Sequence, residues 1–119
     1  MGNRQGVVRM SQPPMFHRRE IWWCCVGINI GHEQGGRDMN FERPVVVVNK
    51  FNREICLIIP FSSSIKIGAY YYPHDHKGKK NCIILSQIRL ISSIRLLRKI
   101  GVMDKSHFLI MRDKLKQIL

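Results

Sequence analysis

The stretch Phe41-Glu42-Arg43-Pro44-Val45-Val46-Val47-Val48 decides the fold class of this chain. Four consecutive valines are β-branched and apolar, so they suit a strand covered on both faces. Pro44 has no N–H to give a ladder and fits the first strand position. Arg43 then stands at the mouth of a core strand with a charge that no ordinary pH removes. Just upstream runs the polar segment Gly31-His32-Glu33-Gln34-Gly35-Gly36-Arg37. A fixed guanidinium beside such a loop suits a phosphate. Read from the strand alone, the ordinary alternative stands ahead: an arginine that snorkels, or that pairs with Glu20, Glu33 or Glu42.

Working outward, residues 19–26 (REIWWCCV) read as a first strand, aromatic and apolar on both faces. Residues 27–40 form a long loop with four glycines, a length that in compact domains often carries function. Residues 43–49 are the second strand, and residues 50–53 a turn in which Asn52 suits a positive φ. Residues 54–61, closed by Pro60, are the third strand, and residues 69–72 the fourth. Residues 74–80 (HDHKGKK) read as a basic turn before a fifth strand over 82–91. Strands with no helix between them predict a small antiparallel barrel or rolled sheet.

The end of the chain changes period. Ser92 or Ser93 can cap a short helix with Ile94, Leu97 and Ile100 on one face and Gly101 ending it. Asp104 or Ser106 can start a second, with Phe108, Met111, Leu115 and Ile118 as its apolar stripe. Residues 1–17 read as a loose, flexible tail, leaving one domain over 18–119.

Charge narrows the partners. Twenty Lys and Arg against 8 Asp and Glu give a formal charge of +12, which favours a polyanion. No apolar run approaches a membrane span, so no membrane partner is expected. Cys24, Cys25, Cys56 and Cys82 show no paired spacing. They read as free thiols in a reducing, cytoplasmic setting, with Cys24 and Cys25 on opposite strand faces.

Several residue groups could carry chemistry. His74-x-His76 offers two imidazoles and no further ligand at a usual spacing, so a solvated turn is the better reading and no metal site is expected. Ser62-Ser63-Ser64 follows a buried strand, but nothing in the sequence supplies the elbow of a serine hydrolase. Single-stranded RNA makes better sense of the set. Trp22, Trp23, Phe61, Tyr70, Tyr71 and Tyr72 offer stacking faces, and Gln34 and Gln87 offer amides for base edges.

These residues carry a resemblance. Glu20-Ile21-Trp22-Trp23, Gly31-His32-Glu33-Gln34-Gly35-Gly36, Arg43-Pro44-Val45-Val46-Val47, Ile59-Pro60-Phe61-Ser62-Ser63 and Ser86-Gln87-Ile88-Arg89-Leu90-Ile91, followed by Arg95-Leu96, occur in the order and register of the MazF/PemK toxins. The resemblance spans residues 18–119. It implies an SH3-like β-barrel with C-terminal helices (the CcdB/MazF/Kid-like toxin fold), a homodimer, and an acidic antitoxin as partner. It implies metal- and cofactor-independent, sequence-specific cleavage of single-stranded RNA, mRNA included. The 2′-OH attacks its own phosphate and leaves 2′,3′-cyclic phosphate and 5′-OH ends.

By position, Arg43 matches the family's catalytic arginine and Ser62 its catalytic threonine. His32 matches a histidine of the plasmid-borne branch and is the titratable candidate near the site. Glu33, Gln34, Ser63, Ser86 and Gln87 fall where RNA would be touched. Residues 37–42 lengthen the loop beyond that of most members, and Ser86 stands where one branch carries an aspartate. Two other readings use the same barrel without catalysis: a toxin that binds gyrase, or a plain basic RNA-binding module. The Arg-Pro and serine pair favours the nuclease.

Overall fold

The structure, a computed structural model, describes residues 12–26, 42–76 and 78–119. Seven strands form where five were expected, with several boundaries moved. They are β1 (Glu20–Cys25), β2 (Glu42–Lys50), β3 (Ile55–Ser62), β4 (Tyr71–His76), β5 (Lys79–Ile84), β6 (Arg89–Ser92) and β7 (Leu96–Val102), followed by one helix, α1 (Lys105–Ile118). All strand pairs are antiparallel, in the order β4-β5-β3-β2-β1-β7, with β6 also on β3. The sheet is rolled but not closed into a ring.

The valine run behaves as its chemistry requires: Val45, Val46 and Val47 are fully buried and Val48 nearly so. Alternation sends its two sets of side chains into two cores. Val46 and Val48 join Ile21, Ile59, Phe61 and Ile83, covered by Phe108, Met111 and Leu115 of α1. Val45 and Val47 join Trp22, Cys24, Cys56, Ile58, Ile91 and Leu96. Pro44 is the third residue of β2, not the first. The ladder to β3 begins only at Val45↔Pro60, so one side of Pro44 has no strand to bond.

α1 meets its expectation. Asp104 is the N-cap and accepts from the Ser106 and His107 amides, and Phe108, Met111 and Leu115 are its buried stripe. The short helix expected from Ser92 to Gly101 does not form. A single 3-10 turn, Ser93–Arg95, makes a corner, and Leu96–Val102 is a strand paired with β1. The spacing of Ile94, Leu97 and Ile100 imitates a helix stripe, yet all three are more than a third exposed. The open edge of β1 decides the matter, because it offers a ladder that an isolated short helix cannot match.

The fifth strand is likewise two strands, β5 and β6, broken by the 3-10 turn Leu85–Gln87. β4 reaches into the expected basic turn as far as His76 and tolerates Pro73 because it is an edge strand. Asn52 has no positive φ. Its side chain holds the turn instead, accepting from the Glu54 and Ile55 amides at 2.8 and 2.9 Å. Phe16 is fully buried in the second core, and its carbonyl accepts from Lys50 Nζ at 2.9 Å. Ordered packing therefore starts ahead of residue 18.

Gly78 turns the β4–β5 hairpin at φ +81°, with Asp75 Oδ1 accepting its amide at 3.0 Å. A Cβ there meets nothing within 4 Å, so only backbone strain opposes a side chain. Gly78→Ala is expected to cost about 1 kcal/mol, a fall of about 4 °C in the unfolding midpoint. Gly78→Asn should cost less. Equal melting of the Ala variant and the parent in thermal scans would refute this account of the turn.

Candidate functional site

β1 ends, β2 begins and β3 ends on one side of the molecule. Cys24 lies opposite Arg43 and Cys25 opposite Glu42. The β2–β3 register runs through Val46↔Ile59 to Val45↔Pro60, and continued by two residues it sets Arg43 across from Ser62. Alternation puts both on the face of Val45, Val47 and Ile58, at the open end of the second core. β6 pairs Arg89 with Ile58 and adds it to that face; the same register carried on sets Gln87 level with Pro60.

Three arginines thus surround this mouth. Arg89 Nη1 donates to the Val26 carbonyl at 3.1 Å, and Arg95 Nη1 to the Cys25 carbonyl at 3.2 Å. They tie down the exit of β1, from which residues 27–41 depart. Arg43 is half-buried, and among the described residues nothing engages its guanidinium by hydrogen bond or ion pair. Two of the carboxylates that could have neutralised it are occupied. Glu42 accepts from Trp23 Nε1 at 2.6 Å, and Glu20 is held at the other end of β1. Glu33 lies outside the described residues.

Beneath the arginines sits Cys24. Burial pushes its thiol up to about 12, with the charges of Cys56 and Cys25 adding and those of Arg95 and Arg89 opposing. It is therefore a neutral floor and not a nucleophile at ordinary pH. Cys56, deeper in the same core, is pushed to about 11 by burial. All four cysteines are free thiols.

Ser62 closes β3 opposite Cys82. Its Oγ accepts from the Ser64 amide at 3.1 Å, and Cys82 Sγ donates to the Ser64 carbonyl at 3.3 Å. The turn is stapled, and the Ser62 hydroxyl proton remains available to donate. Ser63 is exposed, as are Ser86 and Gln87 on the 3-10 turn before β6. His32, Glu33 and Gln34 lie outside the described residues.

The stacking candidates divide. Trp22, Phe61 and Tyr72 are core residues, whereas Tyr70 is 54% exposed. Trp23 is half-buried, with Arg98 5.5 Å over its ring. His74 contacts Asn81 Oδ1 at 3.3 Å and meets the Phe61 ring edge-on at 5.2 Å, which makes it a packed strand residue and not part of a solvated turn. In the sequence Arg89 and Arg95 were legible as charges interrupting apolar runs and as members of the segments that carry the family resemblance, but neither was named as a site residue.

The family described as PemK-like, MazF-like toxin of type II toxin–antitoxin systems matches residues 17–119. Among solved structures, the fold is similar to MazF (form I) from Deinococcus radiodurans, with TM-score 0.69 and 18% identity over 89% of this chain and 96% of that one. It is similar to the Mycobacterium tuberculosis toxin MazF-mt6, with TM-score 0.64 and 14% identity over 83% and 94%. It is also similar to an Mtb toxin, with TM-score 0.58 and 15% identity over 65% and 92%. Comparison with curated proteins by sequence finds no match. With the family covering nearly the whole chain and the same rolled sheet in its solved members, this protein belongs to the PemK-like, MazF-like toxins of type II toxin–antitoxin systems.

Proposed function

We propose that the protein is an endoribonuclease that cuts single-stranded RNA at the mouth formed by Arg43, Ser62 and the 3-10 turn before β6. The observation that carries this reading is Arg43 itself. It is a half-buried guanidinium on a core strand, without an acidic partner among the described residues, and level with a free hydroxyl donor.

The reaction places modest demands on these groups. The O2′–P bond forms and the P–O5′ bond breaks, giving a 2′,3′-cyclic phosphate and a 5′-OH. The 2′-OH proton leaves, and one is delivered to O5′. Arg43 holds the phosphate and stabilises the charge that gathers on its equatorial oxygens. Its guanidinium acts as a donor and charge clamp, not as a base. Ser62 donates to a phosphate oxygen. His32 or water moves the protons, with help worth about 10²–10⁴ from such a group. Ser63, Ser86 and Gln87, with Glu33 and Gln34 of the loop, contact the bases. The working unit is taken as a cytoplasmic homodimer held in check by an acidic antitoxin, as the family implies, with residues 18–119 as its toxin domain.

The test is cleavage of end-labelled, mixed-sequence single-stranded RNA in EDTA. Cyclic-phosphate ends are expected from the parent, with Ser62→Ala slower by about tenfold for one lost neutral donor. His32→Ala should flatten the rate profile between about pH 5 and 8. Binding without cleavage would leave only the RNA-binding reading standing, and His32→Ala cutting as the parent does across that range would remove His32 from the chemistry.

A further inference from the structure

At the opposite end of β1 from Arg43 lies a second cationic feature. A cleft of about 450 Å³ is lined by Arg18, Arg19, Lys50, Lys105 and Arg112 over Phe108, with no carboxylate among its described lining residues. Nearby acids are already used. Glu20 is taken by Trp22, His17 and Lys99, and Asp104 caps α1.

Arg19 is held there deliberately. It is the one described non-glycine residue with positive φ, at +77°. That conformation persists only where the surroundings over-determine it. Here the Arg19 amide donates to the Val47 carbonyl at 2.8 Å, its carbonyl accepts from Met103 at 2.8 Å, and its Nε donates to the Met103 carbonyl at 3.2 Å. Among the described residues nothing engages the two terminal nitrogens of its fork by hydrogen bond or ion pair. Lys50 is anchored by the Phe16 carbonyl and lies 4.6 Å over the Phe16 ring, and Arg112 lies 5.9 Å over Phe108. Arg19, Lys50 and Arg112 are therefore positioned groups, with the exposed Arg18 and Lys105 at the rim.

We propose that this cleft is a second phosphate-binding site for single-stranded RNA, one that holds the strand a few nucleotides away from the scissile bond. Three of its five cations are arginines, whose forks match phosphate oxygens in a way that lysine does not. The rise of β1 places Arg19 about 17 Å from Cys24, within reach of a short run of the same strand. The volume of the cleft suits a nucleotide-sized group. Its ligand class rests on the RNA reading above; its location does not.

The test measures binding of 2′-O-methyl RNA, which lacks the attacking hydroxyl, at lengths from about 4 to about 16 nucleotides. Parent affinity is expected to rise with length. The variant Arg18→Gln/Lys105→Gln/Arg112→Gln should lose that gain, about tenfold, and its slope of log K against log salt should be shallower by about 2, since each phosphate contact on a single strand contributes about 0.7. Lys66→Gln/Lys79→Gln/Lys80→Gln removes the same charge from exposed sites away from α1 and the cleft and should keep the gain.

Equal losses in the two triple variants, or no rise of affinity with length in the parent, would overturn the site. A groove variant that loses poly-glutamate but keeps RNA would hand the cleft to an acidic protein and overturn the RNA assignment. A parent that binds with this length and groove dependence yet cuts no natural RNA supports the groove and overturns only the ribonuclease reading.

Discussion

Arg43→Ala is expected to lower single-turnover RNA cleavage by about 10²–10³, the usual loss when one charge-stabilising donor is removed from a reacting centre. Folding should be nearly unaffected, because among the described residues no hydrogen bond or ion pair of the native state uses the guanidinium. The valines that hold β2 in place begin two residues further on. Arg43→Lys should recover only part of the rate, since an ammonium restores the charge but not the planar fork. The measurement is a single-turnover time course on one RNA, with thermal unfolding of each variant alongside. Cleavage by Arg43→Ala at the parent rate would remove the mouth of β2 from the chemistry. A large loss of stability would return Arg43 to the ordinary role of a structural arginine.

The second large effect is on stability. Glu20→Ala is expected to destabilise the fold by about 3 kcal/mol, the scale on which breaking a buried, hydrogen-bonded charge cluster is felt. Glu20 is 7% exposed. Its Oε1 accepts from the His17 amide at 2.9 Å and Trp22 Nε1 at 3.0 Å, while Oε2 meets His17 Nδ1 at 3.2 Å and Lys99 Nζ at 3.3 Å. Removing the carboxylate strands the Trp22 N–H in the core and releases Lys99, which ties β7 to β1. Glu20→Gln keeps acceptors for two of these donors and should cost less.

The same cluster sets a pH dependence. Burial pushes the Glu20 carboxyl up, but the bonds from Trp22, His17 and Lys99 outweigh it and hold it below its ordinary value. A carboxylate lowered in the folded state contributes stability above its unfolded value, about 4.3. That contribution is lost as pH falls from there through the folded value. Urea denaturation between about pH 6 and 3 should show parent stability falling more steeply than that of Glu20→Gln. Parallel curves would mean that Glu20 is not held ionised.

Much of this molecule was legible because its local signals agree. Val45 to Val48 read as a doubly covered strand, and they are one. Phe108, Met111 and Leu115 read as the buried stripe of a capped helix, and they are. Where the reading failed, local pattern was degenerate. Ile94, Leu97 and Ile100 have helical spacing, but a run of seven residues has too little helical stability of its own to resist an open strand edge. The segment after Cys82 was apolar enough for one long strand, and only the passage from β5 to β6 along β3 shows why it breaks at Leu85–Gln87.

The candidate site divides the same way. Arg43 and Ser62 could be named from residues, because a Pro-flanked arginine before valines and a serine after a buried strand are local patterns, sharpened by a family resemblance. That Arg43 and Ser62 share one face, with Arg89 and Arg95 beside them over Cys24, depends on the registers of three strand pairs and on the corner at Ser93–Arg95. The second cationic cleft depends on such contacts entirely, since Arg18, Lys50 and Arg112 are far apart in sequence. By itself the sequence determined the first four strands in outline, the C-terminal helix, the excess of positive charge and the position of Arg43 at a strand mouth, because each follows from residue type and short-range period. Only the tertiary structure decided which edge captured residues 96–102 and which cations converge, because strand pairing joins residues that no local period relates.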